Sequence, residues 1–184
     1  MGALGATLGA ALDGIHTHFG ATSYPNPIVW RMAWWVPLLF GGAFMIGLLR
    51  PLVDHWRRSR SASPSASRVS AAFAAFVVAY FITVVPLPWP AIAGVLLAIF
   101  ATSWWLFDRT ATGFVIALVA AFGGPTVESV LVSRGLFVHH QVLALGVPGW
   151  LPFLYLVAAV ALTLLAKRLV DGGPRREESA TVQA

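Results

Sequence analysis

The chain has 184 residues, of which 58% are hydrophobic and only 10% are charged, against roughly 25% charged residues in an average soluble domain. This excludes an ordinary water-soluble globule, because the surplus apolar side chains would form larger exposed patches than soluble monomers tolerate. The absence of cysteine excludes disulfides and thiolate metal sites. The formal net charge of +5 is explained below without nucleic acid.

Six apolar stretches come close to the roughly 20 residues that a helix needs to cross a bilayer core. They cover approximately residues 3–19, 28–53, 69–85, 91–107, 112–132 and 148–169. Three prolines in residues 86–90 separate the third stretch from the fourth, since proline cannot continue a helix. The first stretch lacks the basic start of a signal peptide, so we interpret it as a helix of the mature protein. We predict an all-α fold, an integral membrane bundle of six transmembrane helices.

The positions of Lys and Arg predict the orientation of this bundle. Six spans place both termini on one side, together with residues 54–68 and the turn at residues 108–111. Of the 12 Lys and Arg residues, only Arg31 and Arg134 fall on the other side. By the positive-inside rule both termini are cytoplasmic. The basic charge then reflects topology and anionic lipid, and no nucleic-acid partner is expected.

The polar segments are expected to lie outside the membrane. Residues 1–171 form the predicted transmembrane domain, interrupted by a basic, Ser-rich segment at residues 55–68 that we interpret as a flexible cytoplasmic loop. Residues 172–184 are polar and are predicted to be a disordered cytoplasmic tail.

Two carboxylates continue stripes of small residues spaced by four, and this spacing places them on helix-packing faces. We therefore expect Asp13, with His16 nearby, and Glu128 to point into the bundle. An ionisable group within a membrane span is by default a functional candidate. The structural interpretation is that Glu128 is protonated, or is hydrogen-bonded to a neighbouring helix through a group such as His16. A proton or ion pathway is the functional alternative, although the inner half of the helices lacks the polar groups it needs.

Potential metal ligands also lie toward the predicted outer side. His and carboxylate side chains are suitable ligands, but their spacing here matches no compact metal motif. No nucleophile elbow, phosphate-binding loop or dinucleotide-binding turn is present either. A membrane enzyme or metal-binding protein is therefore the alternative function, and we predict no catalytic residue, no metal and no cofactor. A small transporter is a third possibility, although the two halves show no internal repeat. The candidate ligands are Asp13, His16, His18, Glu128, His139 and His140.

Two prolines are expected to kink transmembrane helices. Pro37 and Pro125 fall inside the second and fifth predicted spans, where each removes a backbone hydrogen bond. Two bent helices in a small bundle leave a crevice open to lipid, which nearby tryptophans are available to line. The structural alternative for these tryptophans is the aromatic belt at the membrane interface. They are Trp34, Trp35, Trp104 and Trp105.

Two stretches of the chain resemble one known family. Residues 33–37 read Ala-Trp-Trp-Val-Pro and residues 47–54 read Gly-Leu-Leu-Arg-Pro-Leu-Val-Asp, similar to the second-helix region of the Insig (insulin-induced gene) family. Residues 104–114 read Trp-Trp-Leu-Phe-Asp-Arg-Thr-Ala-Thr-Gly-Phe, which resembles that family's Trp-Trp-x-Phe-Asp-Arg-x-x-x-Gly-Phe motif before its fifth helix. The order and spacing hold from about residue 33 to residue 169. Six helices with cytoplasmic termini also agree with the family.

The resemblance implies a non-enzymatic regulator. Eukaryotic Insig proteins lie in the endoplasmic reticulum, bind oxysterols among their helices and hold partners that carry a sterol-sensing domain, such as HMG-CoA reductase. By this resemblance Asp108, with Arg109 beside it, is a candidate for partner binding, and Trp104 and Phe76 are candidates for a lipid pocket. From the residues alone, Asp108 is equally well interpreted as a cap of the fifth helix.

Departures from the family pattern indicate a different ligand. The family's polar stretch after the third helix is replaced by Tyr-Phe-Ile-Thr-Val-Val at residues 80–85, and its pocket glutamine falls at Ala91. A site that lacks such a polar group accepts apolar lipids less selectively. The Arg- and Ala-rich composition is typical of a GC-rich bacterial genome. We therefore expect a bacterial Insig homologue of mycobacterial or actinobacterial type in the cell membrane, which binds a diacylglycerol-like or sterol-like lipid and forms a homo-oligomer through its small-residue stripes.

Overall fold

The computed structural model describes residues 1–58 and 62–172, which form six helices and one two-stranded ribbon. Helix α1 spans residues 2–18 as Gly2–Leu4, a π-helical segment Gly5–Gly9, and Ala10–His18. Strand β1 (Thr22–Ser23) pairs antiparallel with β2 (Val138–His139). The other helices are α2 (Val36–Trp56), α3 (Ala66–Thr83), α4 (Trp89–Asp108), α5 (Ala111–Ser133) and α6 (Leu151–Asp171).

The prediction of an all-α integral membrane protein is confirmed. Helices α2–α6 are long and apolar enough to cross a membrane, with lengths of 18 to 23 residues. Helix α1 occupies the place of the first predicted span. It is shorter than each of α2–α6, and it contains the buried polar residues Asp13 and His16. The count of six spans and the cytoplasmic termini therefore stay predictions. We call the end of the bundle with residues 50–54, 108–111 and 167–171 the inner end, and the end with residues 19–35 and 134–150 the outer end.

The second predicted span is wrong at its start. Residues 28–35 are not helical, and α2 begins only at Val36. Trp30 and Arg31 adopt left-handed backbone conformations with φ of 48° and 62°, and they form a tight loop closed by hydrogen bonds between Val29 and Met32.

This later start changes the role of one of the two prolines. Pro37 lies in the first turn of α2, where the missing N–H costs nothing, so the kink predicted at Pro37 is wrong. Pro125 does lie inside α5 as predicted.

The segment between α2 and α3 is shorter than predicted. Helix α2 continues to Trp56, and α3 begins at Ala66, where the Ser65 side chain accepts a hydrogen bond from the Arg68 N–H. Residues 59–61 of the predicted loop lie outside the described residues. So do residues 173–184 of the predicted tail.

Helix α6 forms the centre of the bundle. Of the most apolar 18-residue stretch of α6, 67% is buried inside the molecule, whereas the corresponding share is 22–33% in α2–α5. The other four apolar helices all contact it. A helix that is surrounded in this way must be apolar on every side, which explains the nearly unbroken run of Leu, Val and Ala at residues 156–162.

Candidate functional site

A cavity of about 630 Å³ lies between α1, α2, α3, α5 and α6. This volume falls within the range of roughly 300–1,000 Å³ that is typical of small-molecule sites. The walls are mostly apolar and extend from the outer end to the middle of the bundle. Several lining residues are also exposed on the surface, namely Leu38 and Gly42 on α2 and Val119 and Gly123 on α5. The cavity therefore opens sideways between α2 and α5, toward the lipid phase.

The two helices at this opening meet near the inner end, where Leu49–Trp56 of α2 contacts α5. Toward the outer end the cavity lies between them. Each of the two helices also has an irregular position, the 3₁₀ segment Met45–Leu48 in α2 and Pro125 within α5. Such positions allow a helix to change direction. The structure thus has a crevice between α2 and α5, although of the two prolines expected to bend these helices only Pro125 lies inside one.

Asp13 and Tyr24 form one polar contact at the outer end of this cavity. The Tyr24 hydroxyl donates a hydrogen bond of 2.8 Å to Asp13 Oδ2, and both residues are buried. Burial raises the pKa of the Tyr24 phenol, and the neighbouring Asp13 carboxylate raises it further. The phenol therefore stays protonated and keeps donating to the carboxylate.

Glu128 forms the second polar contact. Its Oε1 accepts a hydrogen bond of 2.6 Å from the Tyr155 hydroxyl, and its Oε2 lies 2.8 Å from His139 Nε2. The prediction that Glu128 bonds to a neighbouring helix is therefore confirmed, since Tyr155 lies on α6. The pairing of Glu128 with His16 is wrong, because His16 Nε2 is 2.7 Å from the Thr83 hydroxyl of α3.

The partners Tyr24, His139 and Tyr155 come from distant parts of the chain. Sequence spacing does not reveal such contacts, because they depend on how the loops at the outer end fold back and on how α6 packs against α5. The sequence did contain one indication that the chain turns back before His139, namely the glycine at position 135. This glycine has φ of 68° and ends α5 in a left-handed turn, closed by the Leu136 N–H to the Leu131 carbonyl. The chain then returns as β2.

The aromatic residues predicted to bind lipid are not gathered at one place. Phe76 is buried on α3 and lines the cavity. The four tryptophans Trp34, Trp35, Trp104 and Trp105 are not among the described residues that line it. Trp34 is 67% exposed, and the Trp35 ring packs 5.6 Å from that of Tyr24.

Trp104 and Trp105 lie at the inner end of the bundle. Trp104 Nε1 donates to the Thr110 carbonyl at 3.1 Å, and its ring packs 5.4 Å from that of Phe114. Trp105 is exposed, and the Arg109 guanidinium lies 4.1 Å from the centre of its ring. Both tryptophans therefore have local partners at the turn between α4 and α5.

Asp108 belongs to a buried ion network at the inner end. Arg50 Nη1 lies 2.8 Å from Asp108 Oδ1, and Arg50 Nε lies 3.0 Å from Asp54 Oδ2. Lys167 Nζ joins Asp54 at 3.3 Å and Asp171 at 2.9 Å. The network links α2, α6 and the last residue of α4.

The interpretation of Asp108 as the cap of α5 is wrong. Thr110 caps this helix, because its hydroxyl accepts the Gly113 N–H at 3.1 Å. The same hydroxyl donates to Asp108 Oδ1 at 2.8 Å, so Asp108 holds the capping residue. Asp108 has only 2% of its side chain exposed, whereas Arg109 is exposed at the surface.

The alternative of an outer metal site is not supported by these contacts. Asp13, His16, Glu128 and His139 all line the cavity, but each is engaged by a neighbour as described above. His18 is exposed and packs edge-on against Phe19 at 5.0 Å. Within residues 1–58 and 62–172, no three His, Cys, Asp or Glu side chains are grouped to hold a metal ion.

Comparison with known proteins gives one consistent family. A family model described as insulin-induced protein (INSIG) matches residues 1–167. The insulin-induced gene 1 protein of Danio rerio is 25% identical, over 94% of this chain and 72% of its own length. The crystal structure of a mycobacterial Insig homolog, MvINS from Mycobacterium vanbaalenii, superimposes with a TM-score of 0.81 at 27% identity, covering 94% of this chain and 93% of that one. A cross-linked trimer of MvINS gives the same values.

Proposed function

The chain belongs to the Insig family, and from this premise we propose that it binds an apolar lipid in the cavity between α2 and α5 as a non-enzymatic, lipid-sensing regulator. The observation that carries this proposal is the cavity itself, about 630 Å³ of mostly apolar space that opens toward the bilayer and has a polar outer end. A diacylglycerol-like or sterol-like molecule has the matching distribution of a large apolar body and a small polar head.

The polar outer end supports one orientation for such a ligand. The apolar part fits among side chains such as Phe44, Phe76 and Leu162, and the head lies beside Asp13 and Glu128. A lipid that moves from the bilayer into the cavity gains little from the hydrophobic effect, because both environments are apolar. Shape and the few polar contacts therefore decide which lipid is retained.

Regulation would follow from the position of the opening. A ligand that fits better when α2 and α5 are apart shifts the protein toward that arrangement, and so changes the surface offered to a partner. MvINS has been captured as a cross-linked trimer, which supports a homo-oligomer in the bacterial cell membrane as the first partner to consider. Exposed Arg109 beside buried Asp108 is our proposed contact for any other membrane partner.

Narrowing the opening should release the ligand. Gly123 lies on the α5 side of the opening, and a Cβ atom added there meets nothing within 4 Å. Gly123→Leu is expected to lower the amount of lipid that co-purifies at least about fivefold, because the new side chain occupies the entrance. Native mass spectrometry of the detergent-purified protein, followed by lipid extraction and identification, measures this amount.

Gly94→Leu provides the matched control. Gly94 is also exposed within a helix and also has open space at the Cβ position, but it lies on α4, away from the cavity. The control should retain the wild-type amount of lipid. If wild-type protein carries only a mixture of bulk membrane lipids, or if both variants carry the wild-type amount of an enriched lipid, the cavity is not the lipid site.

A further inference from the structure

Two buried polar atoms at the outer end of the cavity have no hydrogen-bond partner within the described parts of the chain. They are Thr22 Oγ1 and His139 Nδ1. Both residues are only 3% exposed, and both line the cavity. Unpaired buried polar groups are rare in folded proteins because the lost hydrogen bonds to water are not replaced. A ligand group that hydrogen-bonds to both atoms would supply the missing partners.

The ribbon brings these two atoms together. Thr22 in β1 lies directly opposite His139 in β2, and side chains directly opposite on one face of an antiparallel pair have Cβ atoms only about 5 Å apart. The other nitrogen of the imidazole, Nε2, is already held by Glu128 at 2.8 Å. This contact fixes the ring and leaves Nδ1 available to a ligand.

The chemistry of the pair selects a hydroxyl group. With Glu128 Oε2 as the acceptor, the ring donates a hydrogen bond through Nε2–H, so in this neutral tautomer Nδ1 is an acceptor that needs a donor. The Thr22 hydroxyl can donate as well as accept. A single hydroxyl is able to donate to His139 Nδ1 while it accepts from Thr22 Oγ1.

The charge around the pair argues against an anionic head. Asp13 and Glu128 line the same end of the cavity, and no Lys or Arg is among the described residues that line it. A phosphate placed beside two carboxyl groups would be repelled, and repulsion of this kind is an effective way to reject a wrong ligand.

We infer that Thr22 and His139 together bind the free hydroxyl of an uncharged lipid and so set the head-group specificity of the cavity. This inference rests on the proposed lipid-binding function and adds the head group that is recognised and the two residues that recognise it.

The test compares three lipids that have the same acyl chains. Delipidated full-length protein in detergent is mixed with dioleoylglycerol, its methyl ether, or dioleoyl phosphatidic acid, and the bound fraction is measured by native mass spectrometry. Wild-type protein should bind dioleoylglycerol at least about tenfold better than the ether, because a site built around a hydroxyl rejects the analogue without it. Phosphatidic acid should bind more weakly than dioleoylglycerol.

Substitutions in the ribbon test whether Thr22 and His139 cause the preference for the alcohol over the ether. Thr22→Val keeps the shape and removes the hydroxyl, and His139→Gln keeps an N–H donor for Glu128 while it removes Nδ1. Each should reduce the preference for the alcohol over the ether to about threefold or less. The adjacent exposed residues serve as matched controls, since His140 Nε2 bonds only at the surface, to the Ser23 hydroxyl at 3.1 Å. Ser23→Ala and His140→Gln should keep the wild-type preference.

The outcomes separate this inference from the proposed function. If wild-type protein binds the alcohol and the ether equally, water completes the pair, and the hydroxyl site is overturned while lipid binding stands. Stronger binding of phosphatidic acid overturns the charge argument. If none of the three lipids binds, the proposed function itself fails. The wild-type comparison of alcohol and ether decides the matter even where a variant does not fold.

Discussion

Arg50→Ala is expected to lower the free energy of unfolding by about 3–5 kcal/mol, the usual cost of removing one partner of a buried ion pair. Arg50 has only 3% of its side chain exposed and contacts both Asp54 and Asp108. Asp54 keeps its contact with Lys167 at 3.3 Å when the guanidinium is lost. Among the described residues Asp108 then keeps only the neutral Thr110 hydroxyl, so within this part of the chain a buried carboxylate is left without a cation. The thermal unfolding of detergent-purified protein, followed by fluorescence-detected gel filtration, measures the loss.

Two further variants show whether the orphaned charge is the cause. Adding Asp108→Asn to Arg50→Ala removes that charge, and the double variant should recover at least about 1 kcal/mol over the single one. Arg57→Ala is the control, because Arg57 directly follows the same helix and is exposed, and its effect should stay within about 0.5 kcal/mol. Equal effects of Arg50→Ala and Arg57→Ala would show that the network does not stabilise the fold.

The long helices were predictable to within a few residues because a run of about 20 apolar residues has few alternatives in a membrane. Helices α3 to α6 therefore appear close to their predicted bounds. The start of α2 was not predictable in this way. Residues 28–35 are as apolar as a helix, but they fold as an interfacial loop in which Trp30 and Arg31 have positive φ. Average hydropathy carries no information about such backbone conformations.

In the candidate site, too, some features were predictable from the sequence and others were not. The four-residue spacing correctly placed Asp13 and Glu128 among the helices, because helical periodicity fixes the face of a side chain. Their partners were beyond such reasoning, since Tyr24 and His139 reach the cavity only after the outer loops fold, and Tyr155 reaches it only when α6 packs against α5. The Insig resemblance was found between residues 33 and 169, and the family model extends it through the first helix to cover residues 1–167. The resemblance made Trp104 a candidate for the lipid pocket, although its motif precedes the fifth helix and so lies beside the inner turn. The structure has Trp104 at this turn, outside the described residues that line the cavity.

Gly47→Ala should destabilise the bundle by about 1–3 kcal/mol, the typical cost of inserting a methyl group where no space exists. A Cβ atom at Gly47 would overlap the Leu162 carbonyl oxygen and lie 2.8 Å from its carbonyl carbon. Both atoms belong to the backbone of α6, so no side-chain rotation relieves the contact. Helix α2 would have to move away from the central helix, and the packing between them would be lost.

Gly42 on the same helix separates this packing effect from the helix-forming preference of alanine. A Cβ atom at Gly42 meets nothing within 4 Å, so Gly42→Ala should be neutral or stabilising by up to about 1 kcal/mol, since alanine favours a helix more than glycine does. Thermal unfolding of the two variants measured side by side gives the difference. A melting temperature of Gly47→Ala equal to or above that of Gly42→Ala would mean that α2 is not held against α6 at this point. The α2 side of the opening would then be held in place by something other than the close contact between α2 and α6.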